Sequence, residues 1–180
     1  MIIGLTIPAF TVVHTIISLI AIASGLIVVF GLVGSYRLPK LTAIFWIFTV
    51  LTTVTGFMFF LSPAQARMLT PATATGIVAA IVFLFGLIAL YVKKLYGHWR
   101  WIYAVSATTS LYLNVFVLIV QSFQKLKLLN PAASLTPPFP NPPFEPVQFN
   151  FTVAQGAALL IAVMLGLVTA LRFRRGPGLV

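Results

Sequence analysis

The sequence predicts an all-α integral membrane bundle of five transmembrane helices, with the N-terminus outside and the C-terminus in the cytoplasm. Three observations carry this expectation. Of 180 residues, 61% are hydrophobic and 7% charged, with a mean hydropathy of +1.11, too little charge to coat a soluble domain of this size. Five uncharged runs are each long enough to cross a hydrocarbon core of roughly 30 Å, which takes about 20 helical residues. The eleven Lys and Arg residues fall between those runs, mostly on alternate connections.

Pro8 suits a first helical turn, and the first span is predicted over residues 8–34, stopped by Arg37, Pro39 and Lys40. The second, 41–61, ends at Ser62-Pro63. The third covers 71–92, from Pro71 to the pair Lys93-Lys94. A short link with Gly97, His98 and Arg100 leads to the fourth, 101–123, closed by Lys125 and Lys127. The fifth covers 151–171 and ends in Arg172, Arg174 and Arg175. Residues 1–180 read as a single membrane domain, because no polar stretch is long enough to fold separately. The first apolar run has no basic leader and exceeds a signal core in length, so it is expected to remain as a helix.

Orientation follows from the basic residues. With the N-terminus outside, Arg37, Lys40, Lys93, Lys94, Arg100, Arg172, Arg174 and Arg175 face inward, against Arg67, Lys125 and Lys127 outward. Tyr91, Tyr96, Trp99, Trp101 and Tyr103 gather near the inner third-to-fourth link, as an interfacial aromatic belt would. The long connection 124–150 falls outside and holds Pro131, Pro137, Pro138, Pro140, Pro142, Pro143 and Pro146. Such a run favours polyproline II and turns over helix. Its Phe139 and Phe144, with Glu145, are expected to form a stiff lid over the outer mouth; an extended connector lying in the headgroups is the plainer alternative. Glu145 is the sole acid, and it can pair with Arg67, Lys125 or Lys127.

Composition narrows the chemistry. Without cysteine there are no disulfides, thiolate nucleophiles, Fe–S clusters or thiolate zinc sites, and one carboxylate cannot make an acid/base pair. No enzyme activity, catalytic residue or metal site is expected. The net charge of +10 is dispersed between apolar runs, so no nucleic acid partner is expected.

Lipid gives apolar faces no packing signal, so bundle faces are read from small and polar stripes. These are Thr11, His14, Ser18, Ala21 and Gly25 in the first span, and Thr42, Thr49, Thr52 and Gly56 in the second. The third carries Ala72, Gly76, Ala79, Phe83 and Gly86; the fourth Tyr103, Ala107, Ser110, Asn114 and Gln121; the fifth Gln155, Ala158, Ala162, Gly166 and Thr169. Helical rise places His14 and Thr55 about 9 Å, Asn114 about 13 Å, Gln155 about 6 Å and Gln121 about 3 Å from the outer ends of their spans. The five therefore suggest a ligand-binding pocket in the outer half, beneath the lid. The same residues equally make a structural hydrogen-bond network, with about 1 kcal/mol per contact. His14 and the carboxamides suit a small polar solute, a carbonyl or a quinone better than bond breaking. A bis-histidine haem is excluded by the opposite depths of His14 and His98, leaving a single-His haem or a quinone as cofactor alternatives.

Thr55-Gly56-Phe57, Trp99-Arg100-Trp101-Ile102-Tyr103, Leu111-Tyr112-Leu113-Asn114-Val115-Phe116-Val117 with Gln121, Phe123 and Lys125, and Pro142-Pro143-Phe144 with Gln148 together resemble a family of small bacterial multi-pass inner-membrane proteins that has no assigned function. The resemblance spans roughly residues 42–150 and implies a bacterial inner-membrane location. His98 stands before the Trp-Arg pair where a small residue is expected. Three functions compete: a non-enzymatic ligand-binding or accessory subunit, favoured here; a small oligomeric transporter or channel; and a quinone- or haem-associated redox protein. The partners expected are the bilayer, a small or lipidic ligand, and a homo-oligomer or larger membrane complex.

The orientation is tested by fusions: green fluorescent protein placed after Val180 should fluoresce, and alkaline phosphatase placed there should be inactive. The reverse pair of results would invert the topology.

Overall fold

A computed structural model describes residues 2–59, 71–131 and 147–175. Its regular structure is helical: α1 Ile7–Val33, α2 Pro39–Met58, α3 Pro71–Leu87, α4 Trp99–Lys125 and α5 Gln148–Arg175. Five helices are long and apolar enough to cross a membrane. Thr6 caps α1, accepting the Ala9 N–H at 3.4 Å ahead of the first-turn proline. α3 continues into a π-helical turn, Ile88–Val92, before the chain reverses through Lys94, Leu95 and Gly97, all at positive φ. α4 and α5 extend beyond the expected spans, to Lys125 and from Gln148. Hydrocarbon thickness sets a minimum length, and helices carry on into the headgroup layer where Lys and amide side chains are solvated. The lid residues Phe139, Phe144 and Glu145, and also Arg67, lie outside the described residues.

Neighbouring helices run antiparallel in a readable register. His14 meets Thr55, Phe10 meets Phe59, and Gly25 faces Phe45 across α1 and α2. Phe123 meets Phe151, Thr108 meets Thr169, and Tyr103 meets Phe173 across α4 and α5. α4 touches α1, α3 and α5, and is the helix around which the others gather. The end of the bundle with Arg37, Lys40, Lys93, Lys94, Arg100 and Arg172 is called the basic end below.

The small and polar stripes face inward. Ala21, Gly25, Thr42, Thr49, Gly86, Tyr103, Ala107, Ser110 and Thr169 are buried, while large apolar side chains point outward. Leu160 is 65% exposed and Leu167 61%, an arrangement stable against acyl chains rather than water. Tyr103 departs from the expected aromatic belt. It is 2% exposed, against Trp46 and Phe173, whereas Tyr91, Tyr96 and Trp101 do face outward. Its position on the small-residue stripe of α4 overrides its closeness to the link.

Burial is uneven along the axis. In α1 the buried residues after Phe10 run from Ala21 to Leu32, in α2 from Thr42 to Thr49, and in α4 from Tyr103 to Leu111 before Phe123. The basic half is close-packed; the other half is only partly covered. Tight packing centres on two glycines. A Cβ on Gly25 would lie 2.7 Å from the Phe45 ring, and one on Gly86 would meet Trp46, with its Cζ2 at 2.7 Å.

Replacing Gly86 by Val should therefore lower stability by about 1–3 kcal/mol, read as an earlier unfolding transition in detergent. Gly156→Ala is the control, since nothing lies within 4 Å of the added Cβ.

Candidate functional site

Most hydroxyls in the spans satisfy themselves. Thr11, Thr15, Ser18, Ser24, Thr53, Thr108, Ser122 and Thr169 each donate to the carbonyl four residues back, at 2.7–3.1 Å. Such groups need no partner from another helix. Imidazole and carboxamides have no equivalent local bond, so their partners reveal the interior.

His14 Nδ1 lies 2.7 Å from Thr55 Oγ1. The Thr55 hydroxyl also donates to the Leu51 carbonyl at 2.7 Å. A hydroxyl has one hydrogen, so the network assigns the proton of the first bond to His14: Nδ1–H donates to Oγ1, and Nε2 is left as an acceptor. The ring stands edge-on to Phe59, with centroids 5.4 Å apart at 90°, and Phe59 in turn meets Phe10 at 5.0 Å. Gly56 keeps the α2 backbone open beside it, since a Cβ there would be 3.7 Å from His14 Cε1. The ammonium of Lys125, at the far end of α4, acts electrostatically on this imidazole.

The carboxamides occupy the neighbouring seam. Gln155 Nε2 donates to the Phe116 carbonyl at 3.2 Å, tying α5 to α4. Gln155 Oε1, Gln121 Oε1 and Asn114 Nδ2 are buried with no hydrogen-bond partner among the described residues. The structure thus joins His14 to Thr55 and secures one end of Gln155. It places no described hydrogen bond between the His14 pair and the carboxamides.

Register refines the depths. Gly25 of α1 faces Leu111 of α4, so with antiparallel axes His14 is roughly level with Gln121, and Asn114 lies about 12 Å further toward the basic end. His98 precedes the first residue of α4 at the basic end, so the two histidines cannot share an iron. His14, Thr55, Gln121 and Gln155 fall in the loosely packed half, and Asn114, level with Ile22 of α1, sits at its border with the close-packed half.

A second polar feature was not foreseen. At the basic end a cavity of about 90 Å³ is lined by Val28, Leu32, Tyr36, Arg37, Leu38, Pro39, Thr42, Leu90, Tyr91 and Tyr103. The Tyr103 hydroxyl interacts with the Thr42 side chain and feels the charge of Arg37, while the buried Trp46 Nε1 has no hydrogen-bond partner among the described residues. The signal in the sequence was a tyrosine on an otherwise small and polar stripe. No family model, curated protein or solved structure matches the chain.

Removing either member of the His14–Thr55 pair should cost about 1 kcal/mol. In a double-mutant cycle, His14→Ala with Thr55→Val should destabilise little more than either alone. Nitrogen NMR of histidine-labelled protein should find the His14 proton on Nδ1.

Proposed function

We propose that this chain is a non-enzymatic ligand-binding or accessory subunit of a bacterial inner membrane. Its site takes a small, uncharged, lipidic ligand in the loosely packed half of the bundle. In this reading the N-terminus is outside and the C-terminus is cytoplasmic. One observation carries the proposal: three carboxamide atoms from two helices are buried without hydrogen-bond partners among the described residues. They supply one donor, Asn114 Nδ2, and two acceptors, Gln121 Oε1 and Gln155 Oε1. His14 Nε2 adds an acceptor. A molecule with a hydroxyl and a carbonyl, such as a quinone or hydroquinone, complements that set, and the apolar walls suit its hydrocarbon part.

A small oligomeric transporter is the second reading. Thr49, Thr52 and Ser110 also have buried hydroxyl oxygens without partners among the described residues, extending polarity along the helix interior. Solute flux into proteoliposomes that disappears in Asn114→Leu would favour this reading.

The direct test is mass spectrometry of what the protein retains when extracted from its native membrane in polymer nanodiscs. One neutral lipidic species should be enriched over bulk lipid, and Asn114→Leu and Gln155→Leu should each reduce it about fivefold, as expected for a lost hydrogen bond. Gly156→Ala should retain it. Bulk lipid alone in the wild type, or equal retention in all variants, would sink the proposal.

A further inference from the structure

We propose that the cavity at the basic end is a phosphate-binding site, in which Arg37 meets the oxyanion and the hydroxyls of Thr42 and Tyr103 form the polar floor. The cavity stands apart from the His14 and carboxamide groups, so the inference does not rest on the function proposed above.

The cavity is built from the end of α1, the α1–α2 link with Tyr36, Arg37 and Leu38, the start of α2, the π-helical turn after α3, and the first turns of α4. Its floor is fixed. Tyr103 and Thr42 are 2% and 8% exposed, and the Tyr103 ring is held against Trp46 and Phe173 at centroid distances of 6.3 and 6.0 Å. Arg37, by contrast, is exposed, free to approach a ligand from the rim. By this measure a single water needs about 10–15 Å³, so about 90 Å³ has room for a tetrahedral anion or a few waters.

Charge decides between those occupants. The chain's single acid is Glu145, which lies outside the described residues, so no described carboxylate can neutralise Arg37. Lys40 and Lys93 lie within two residues of the lining positions Pro39 and Tyr91 and add to the positive potential. α2 begins at this cavity, with Leu38 and Pro39 in its wall and no side-chain cap on its first turn. The ends of α1 and of the π-helical turn present negative dipole ends to the same space, so the helix ends largely cancel and Arg37 carries the attraction for an anion. A guanidinium binds phosphate oxygens in pairs, and hydroxyl donors suit the remaining oxygen.

The π-helical turn explains how space for an anion persists in the densest part of the bundle. Widening the helix at Ile88–Val92 shifts Leu90 and Tyr91 relative to a regular α-helix, and such turns recur at functional sites. Ser35, at φ 62, turns the α1–α2 link, and its hydroxyl donates to the Arg172 carbonyl at 3.2 Å. That bond pins the link carrying Arg37 to α5. Val28, Leu32 and Leu90 make the rest of the wall apolar, which accommodates the glycerol and upper acyl carbons of a phospholipid. A soluble phosphate ester shares the same oxyanion chemistry.

The full-length protein in phosphatidylcholine nanodiscs doped with phosphatidylglycerol provides the test, read by native mass spectrometry of retained phosphatidylglycerol. Arg37→Gln should lower retention about tenfold, the loss expected for one charge-assisted hydrogen bond. Lys94→Gln, with the same change in charge at the same end, should alter it less than twofold. Arg37→Lys should fall between, since it keeps the charge and loses the fork. Unfolding transitions in pure phosphatidylcholine confirm that each variant folds. In a parallel arm, a rise in the transition temperature with inorganic phosphate that Arg37→Gln abolishes, without lipid retention, would assign the site to soluble phosphate. Equal losses in Arg37→Gln and Lys94→Gln, or no effect of either ligand on the wild type, would overturn the proposal.

Discussion

Lipid tails solvate a leucine side chain as well as another leucine does, so these helices are held together by close packing and a few hydrogen bonds rather than by water exclusion. That packing is concentrated in two consecutive side chains of α2. Phe45 enters the notch left by Gly25 of α1, where Leu111 of α4 also arrives, and Trp46 enters the notch left by Gly86 of α3, beside Ser106 of α4. Tyr103 continues the ring contacts from Trp46 to Phe173 of α5, over which Arg100 stands at 5.3 Å. One run of aromatic rings therefore reaches all five helices. The remaining architecture is arranged around it.

Because that cluster lies toward the basic end, the two halves of the bundle differ in kind. Near the cluster, small residues and rings leave little free space except at the cavity beside the π-helical turn. Beyond it, α1, α2 and α4 diverge from full burial, and their polar side chains sit at partly covered positions. On the proposed function, the close-packed half holds the helices in place and the partly covered half admits and releases the ligand without unfolding them.

The five spans and their inward faces were legible in the sequence because both signals are local. An apolar run has a length, and a stripe of Gly, Ala, Ser and Thr has a period. His14–Thr55 was legible too, since both residues lie a similar distance from one end of antiparallel neighbours. Asn114 shows the limit of such arithmetic. Its depth was counted from where the fourth span was expected to end, at residue 123, whereas α4 runs to Lys125 and its register is set by Gly25 against Leu111. Tyr103 was placed in both the belt and the stripe, and packing against Trp46 resolves it. The cavity at the basic end was invisible because it is assembled from helix ends and a link, and because a π-helical turn carries no composition signature.

Hydroxyls and carboxamides carry different implications in such a bundle. A threonine that donates to its own helix carries no unmet demand, so Thr11 or Thr53 says little about function. Gln155 differs: donation from its Nε2 to the Phe116 carbonyl fixes the orientation of the amide, and Oε1 is then an acceptor facing no protein donor among the described residues. Each such buried atom costs about 1–3 kcal/mol if left unmet. Three of them would cost several kcal/mol, a large share of the roughly 5–15 kcal/mol that holds a typical domain folded. A bound molecule that supplies the missing donors and acceptor removes that cost. The stability of the looser half and the occupancy of its site are, on this account, the same quantity.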